Sequence, residues 1–456
     1  MKRRKGMTNQ TIEEQYYKRT PRSKGMYDRA IKSLPGGVAG NGKFLPPYPI
    51  YVSSAEGAEL VDIDGNRYID LLMGVGTHIL GHSPLAVVKA IREQVERGTL
   101  FFIPAEAEVK LSEKICQLMP SVDMVRFVNT GSEATAMAIR AARAYTGREK
   151  IARYEGNFHG SLDWALISEI GVAGPPDAPE PHFDSVGIPH SVSENLLILP
   201  YNDVDFSVKS IAHHADELAA VILEPYSGFG LGCVAPEPGF LETLREVTTE
   251  HEIPLIFDEV VTNFRLALGG AAEYFGILPD MVCLGKVLGG GLPVGGFGGR
   301  REIMEKVVTP RGGEWELTDW IFQSGTFSGN PLTMVAGLAV IEELEKGDVY
   351  PHINNLGELV REGLTNLADR LGVDMLVTGE TSIFQIHFGV REIKNKRDAM
   401  TADKEATNLF HLGLRAKGVF ASSHALFLSA AHTEEDIHKV LEVAEEVLLA
   451  MKQDNG

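Results

Sequence analysis

Cysteine is scarce. The chain of 456 residues carries only Cys116, Cys233 and Cys283, odd in number, scattered and without metal-ligand spacing. That argues against a disulfide framework and for a reducing, cytoplasmic compartment. Positive charge is also short: 43 Lys and Arg face 62 Asp and Glu, a formal charge of −19. Such a surface repels phosphate backbones, so no nucleic-acid partner is expected. The one basic run, Lys2 to Lys5, reads as a solvated terminus ahead of a second methionine, Met7. No apolar run is long enough for a membrane span, and the N-terminus has no secretory apolar core, so no membrane partner is expected. The P-loop pattern is missing, and no GxGxxG opens a helix after a first strand. His78 and His82 stand four apart, but in glycine-rich surroundings and without a following glutamate, so no metal site is expected.

What is present is an ordinary folded composition, 44% hydrophobic and 23% charged, on a chain too long for one compact core. Residues 1–72 begin with a polar helical stretch and continue as short alternating segments, with Asp64-Gly65 marking a hairpin. Residues 73–335 alternate apolar strands with longer helical patterns. The strand candidates are 124–129, 150–155, 219–225, 253–260 and 280–286. Near-continuous apolar strands separated by helices predict a mostly parallel sheet covered on both faces. Residues 336–456 return to helices and short strands. The expected plan is a large α/β domain plus a smaller α+β domain built from both chain ends.

Four signals carry chemistry. Asp258 and Glu259, in FDEVV, stand at the carboxyl end of an apolar strand, where open α/β sheets place their ligands. Lys286 ends the next strand, ahead of a glycine-rich run. Losing hydration there lowers an amine's pKa and makes it a better imine-forming nucleophile. The strand-to-helix junction NTGSEAT, with Gly131 and Ser132, offers backbone N–H groups to an anion. In EGNFHG, Phe158 can present a flat face and His159 a polar neighbour. Each has a plainer reading as a cap, a snorkelling lysine or local packing. Together they describe the needs of one ligand: an aromatic aldehyde phosphate such as pyridoxal 5'-phosphate (PLP).

From PGGV at 35–38 through LVDIDGNRYID, VRFVNTGSEATAMAIRAARAYTGR, FHG, ILEP, FDEVVTNFR, PDMVCLGKVLGGGLPVGGFGGR and SGTFSGNP, the chain resembles the class III aminotransferases of PLP fold type I. Its closest look is to the branch that contains glutamate-1-semialdehyde aminomutase. The resemblance implies that Lys286 forms the Schiff base with PLP and shuttles a proton, and that Asp258 keeps the pyridine nitrogen protonated. It also implies that Gly131 and Ser132 hold the phosphate, Phe158 and Val260 pack on the two ring faces, and Glu224 lies near the ring. Thr326 is expected to reach the phosphate of a neighbouring subunit, giving a homodimer with shared sites.

The chain departs from the aminomutase pattern in four places. Gly40 and Lys43 replace the serine and arginine that grip the substrate carboxylate. The loop at 421–429 is short and holds no acid. The segment before SGT is bulkier, with Trp315 and Trp320, and Asn263 stands where the family usually has glycine. Lys43 and Trp320 are the candidate substrate contacts. The expected reaction is transfer of an amino group between a small-molecule donor and an acceptor, a keto acid or aldehyde; intramolecular transfer of the aminomutase kind is the alternative.

Overall fold

The computed structural model describes residues 9–311 and 319–454, so the Lys2–Lys5 run and Trp315 lie outside the described residues. The chain divides into two compact units. One takes the residues up to Pro84 with His352–Arg391 and those from Ala402 onward; the other takes Leu85–Pro351 and Glu392–Thr401.

The second unit is organised by a seven-stranded sheet. Its strands in chain order are β1 (Met124–Val128), β2 (Lys150–Tyr154), β3 (Leu196–Leu199), β4 (Leu218–Leu223), β5 (Leu255–Asp258), β6 (Met281–Gly285) and β7 (Gly295–Gly299). The spatial order is β1-β7-β6-β5-β4-β2-β3. All neighbours are parallel except β7, which runs antiparallel to both β1 and β6. Strands β4, β5 and β6 are buried along their whole length, as a sheet covered on both faces requires.

Strands β3 and β7 were not among those expected from the sequence. GGFGG reads as a loop because glycine is poor in strands. Its glycines are there for close approach. A Cβ on Gly295 would sit 2.1 Å from the Thr130 carbonyl oxygen, and one on Gly299 would sit 2.3 Å from that of Asp280.

Helix α1 (Gly131–Thr146) follows β1. Thr130 caps it, accepting the Glu133 N–H, while the Glu133 carboxylate reaches back to the N–H of Thr130, and Gly147 closes it in the left-handed conformation at φ 74°. Its Ala134, Ala138, Ile139, Ala141 and Ala142 join the core around β1, β4 and β5.

The first unit holds a sheet of Val52–Glu56, Glu59–Asp62, Arg67–Asp70 and Val419–Phe420, and another of Met375–Glu380, Ile383–Phe388 and Leu426–Phe427. The Asp64-Gly65 turn joins two antiparallel strands as its sequence suggests. Helix Lys404–Ala416 covers this core through Phe410 and Leu414.

The unit boundaries differ from the 72/73 and 335/336 divisions read from the sequence. Residues 73–84 belong with the first unit, where a Cβ on Gly76 would meet the Phe427 ring at 2.7 Å and one on Gly81 would meet Ala431 at 2.6 Å. Helix Pro331–Leu344 belongs with the second unit, packing on Leu85–Val95 and Glu106–Leu118. Residues 392–401 also join the second unit, held by Arg397 on the buried Glu155.

Candidate active site

Five strands of the second unit deliver their following residues to one edge of the sheet. Gly131 and Ser132 come after β1, Phe158 and His159 after β2, Glu224 after β4, Asp258 ends β5, and Lys286 follows β6. This is the carboxyl edge of the parallel strands, where backbone N–H groups and loops are free to meet a ligand.

Strands β5 and β6 are adjacent, with Asp258 opposite Cys283, so Asp258 and Lys286 project from neighbouring strands. Lys286 is partly buried and sits at φ 45°, a left-handed conformation that costs a side-chain residue about 1–2 kcal/mol. Burial brings its amine down to about 8, against the opposing fields of Glu224 and Asp258; Arg265 adds to the lowering. Glu224 moves the other way. Burial, then the Asp258 charge, raises its carboxyl to about 8, although it accepts the Phe158 N–H at 2.9 Å.

Asp258 has two bonds of its own. Oδ2 meets Nδ1 of His159 at 2.8 Å, and Oδ1 accepts the Val260 N–H at 3.1 Å. His159 is fully enclosed and lies stacked on Trp164, with ring centroids 5.8 Å apart. Desolvation lowers its pKa more than the Asp258 contact raises it. The imidazole is held between Trp164 and the Asp258 carboxyl. Glu259, the other acid of FDEVV, turns away. It accepts the Ala271 N–H at 2.5 Å and the Thr262 hydroxyl at 3.1 Å, so it fixes the following turn.

At the start of α1 the capping box leaves the N–H groups of Gly131 and Ser132 without a partner among the described residues. Together with the helix dipole they form an anion cup. A Cβ on Gly131 would lie 3.0 Å from Val260, which leaves that cup open only to backbone.

Thr326 is exposed on the 326–329 turn. Lys43 is exposed at the end of a short 3-10 turn in the first unit. Trp320 is partly buried, and its indole N–H has no partner among the described residues. Among the described residues, Thr326 and Trp320 make no hydrogen bond or ring contact with the Lys286–Asp258 cluster.

Sequence reasoning missed several groups. The Phe229 ring lies 5.2 Å from that of Phe158, and the Lys286 Nζ is 6.0 Å from its centroid. Asn157 accepts the Glu224 N–H at 2.9 Å. Arg153, fully buried, ties down the Phe158 loop by donating to the carbonyls of Asn157 at 2.7 Å and Ala165 at 2.6 Å. SGFG was a readable signal; Asn157 and Arg153 carried none, because their roles arise from chain reversal.

An aromatic aldehyde phosphate fits this donor set: a desolvated amine, a carboxylate backed by an imidazole, an anion cup and a cradle where only glycine fits. Comparisons with known proteins agree. Residues 43–447 match the family model described as Aminotransferase class-III. Glutamate-1-semialdehyde 2,1-aminomutase of Methanosarcina acetivorans is 44% identical over 424 residues, 92% of this chain and 97% of that protein. Among solved structures, an omega-transaminase from Sphaerobacter thermophilus superposes with a TM-score of 0.88 at 35% identity, covering 95% of this chain and 98% of that one. A β-phenylalanine aminotransferase from Variovorax paradoxus gives 0.85 at 30% identity, covering 96% of each.

Proposed function

Because the chain belongs to the class III aminotransferase family, we propose that Lys286 and Asp258 form the centre of a PLP-dependent amino-group transfer. The observation that carries this is the placing of an amine and a carboxylate–imidazole pair on adjacent strands beside an anion cup. When bound, PLP supplies an aldehyde carbon that condenses with amines and a ring that accepts the electron pair left when a proton departs.

The chain's residues do the rest. Lys286 would hold the cofactor through Nζ, and the same amine is placed to take a proton from a substrate carbon brought up to it and to return it. Asp258 would hold a proton on the ring nitrogen, and His159 keeps that carboxyl oriented. Gly131 and Ser132 would hold the phosphate by backbone N–H, Phe158 and Val260 would lie against the ring, and Glu224 holds the Phe158 loop in place.

Two ways of completing the cycle each have support. The names of the curated relatives favour intramolecular transfer of the glutamate-1-semialdehyde kind, and of the two they back it better. A two-substrate transaminase cycle is favoured by this chain's own residues, Gly40 and Lys43 and the acid-free loop at 421–429. Incubating holoenzyme with glutamate 1-semialdehyde alone separates them. Formation of 5-aminolevulinate with no second substrate supports the first; amino transfer only when an acceptor is added supports the second.

Borohydride reduction tests the chemistry common to both. It is expected to fix the cofactor to one peptide, that of Lys286. A colourless protein, or label on another lysine, would overturn the assignment.

The working form is proposed to be a homodimer in which Thr326 serves the phosphate site of a second copy. Exposed Phe101, Phe102, Ile103 and Phe327 on the same unit supply apolar surface for such an interface. A cytoplasmic location suits the three cysteines, which form no disulfide.

A further inference from the structure

We propose that Phe229 is a specificity-determining residue: its ring walls the space beside the Lys286 amine and selects donors with an apolar group on the reacting carbon. This rests on the two-substrate reading above and adds a substrate class to it.

Phe229 lies just beyond β4 in the loop Ser227-Gly228-Phe229-Gly230. Its ring is tilted 50° to that of Phe158 at 5.2 Å, and the Lys286 Nζ stands 6.0 Å from its centroid. The substrate carbon must come up to that nitrogen, so a substituent on this side meets an aromatic surface. A phenyl ring offers no donor to a carboxylate. An apolar group is what it can hold, and an aromatic one better than an aliphatic one.

The loop is built to keep the ring there. Ser227 and Val234 exchange both backbone hydrogen bonds, at 3.0 and 3.1 Å. A Cβ on Gly228 would meet Val261 at 2.8 Å, and one on Gly230 would meet the Gly156 carbonyl oxygen at 2.2 Å. Phe229 is thus the one side chain that this Gly-Phe-Gly segment can present, and its backbone is wedged against two other segments.

A distant piece of chain fastens both aromatic loops. The Lys396 ammonium donates to the Gly230 carbonyl at 2.7 Å, one residue from Phe229. The next residue, Arg397, grips the buried Glu155 at 3.1 and 2.8 Å, three residues ahead of Phe158. One short helix, Lys396–Ala399, therefore sets the spacing of the two rings.

The test is single-turnover conversion of the holoenzyme's cofactor to its amine form, followed by its visible absorbance, with isopropylamine and 1-phenylethylamine as a matched pair. Wild type is expected to favour the phenyl donor in rate over dissociation constant, and Phe229→Ala to cut that ratio by roughly tenfold or more. Phe229→Leu, which keeps an apolar chain and loses the ring, is expected to cut it about threefold and serves if the alanine variant does not fold. An equal loss with both donors, or an unchanged ratio, overturns the proposal, since a purely structural residue lowers both alike. Should wild type bind PLP yet convert neither amine, the two-substrate reading is what fails. Phe229 is then judged by 1-phenylethanol. Perturbation of the cofactor spectrum in wild type and not in the variant supports it, and equal perturbation sinks it.

Discussion

Nδ1 of His159 lies 2.8 Å from Oδ2 of Asp258, and neither side chain has appreciable contact with solvent. A carboxylate can only accept, so the bond puts a proton on Nδ1 of the imidazole, while burial lowers the His159 pKa. The pair fixes the plane of the Asp258 carboxyl, the group proposed to meet the pyridine nitrogen.

Replacing Asp258 with Asn is accordingly expected to lower turnover by about 10²–10³-fold, the usual loss when one preorganised electrostatic partner is removed. His159→Phe should cost less, about tenfold, and the double variant should lose little beyond Asp258→Asn alone, because the imidazole acts through the acid. Steady-state rates of the three variants check this. Additive losses would mean that His159 has a separate role.

The pH dependence of cofactor uptake follows from Lys286. Only the neutral amine attacks an aldehyde, and burial brings its pKa from 10.5 down to about 8. Uptake of PLP by apoenzyme should therefore quicken as pH rises and level off above about 8. The Glu224 charge opposes this lowering, so Glu224→Gln should move the midpoint to lower pH. A midpoint near 10.5 in stopped-flow absorbance would contradict the burial argument.

Acid stability should be limited in part by His411. Burial holds its pKa down to about 3, from 6.5, while its Nδ1–H donates to the Thr407 carbonyl at 2.7 Å. Between those two pH values the unfolded chain binds a proton that the folded chain refuses, so stability falls as pH falls. The loss is about 2 kcal/mol by pH 5, at roughly 1.4 kcal/mol per pH unit. His411→Gln should flatten that arm of a urea-midpoint-against-pH curve; an unchanged slope would refute it.

The neighbouring acids of FDEVV should separate by phenotype. Glu259→Ala strips partners from the N–H groups of Ala271 and Ala272 and from the Thr262 hydroxyl. A loss of about 3 kcal/mol in stability is expected. Cofactor absorbance in the surviving folded fraction should persist. Thermal melts and spectra of Glu259→Ala beside Asp258→Asn would show it.

Shared sites can be tested by complementation. Thr326→Val alone should weaken PLP retention by roughly tenfold, the worth of one hydrogen bond to a charged group. Mixed with Lys286→Ala chains, it should form dimers with one intact site, and activity should return. No recovery in the mixture would place Thr326 outside the partner's phosphate site.

Much of the candidate site could be read along the chain because its chemistry is local. Lys286, Asp258, Gly131 and Phe158 each occupy a strand end or a strand-to-helix junction, and such ends converge wherever apolar strands alternate with helices. The same logic correctly gave a mostly parallel sheet. It missed β7, because a glycine-only strand is explained by what stands across from it: the carbonyls of Thr130 and Asp280.

Composition and strand periodicity were thus enough for a mostly parallel α/β sheet, and the motifs at the strand ends carried the resemblance that gave the family and its cofactor. Only the tertiary structure decided what stands behind and beside them: His159 on Asp258, Phe229 facing Phe158, and Arg397 on Glu155 across 242 residues of chain. The reason is that a hydrogen bond or ring contact between distant residues leaves no periodic trace in the sequence. Its partners are fixed by how the loops pack once the sheet has formed, and desolvation there sets the charge each group carries.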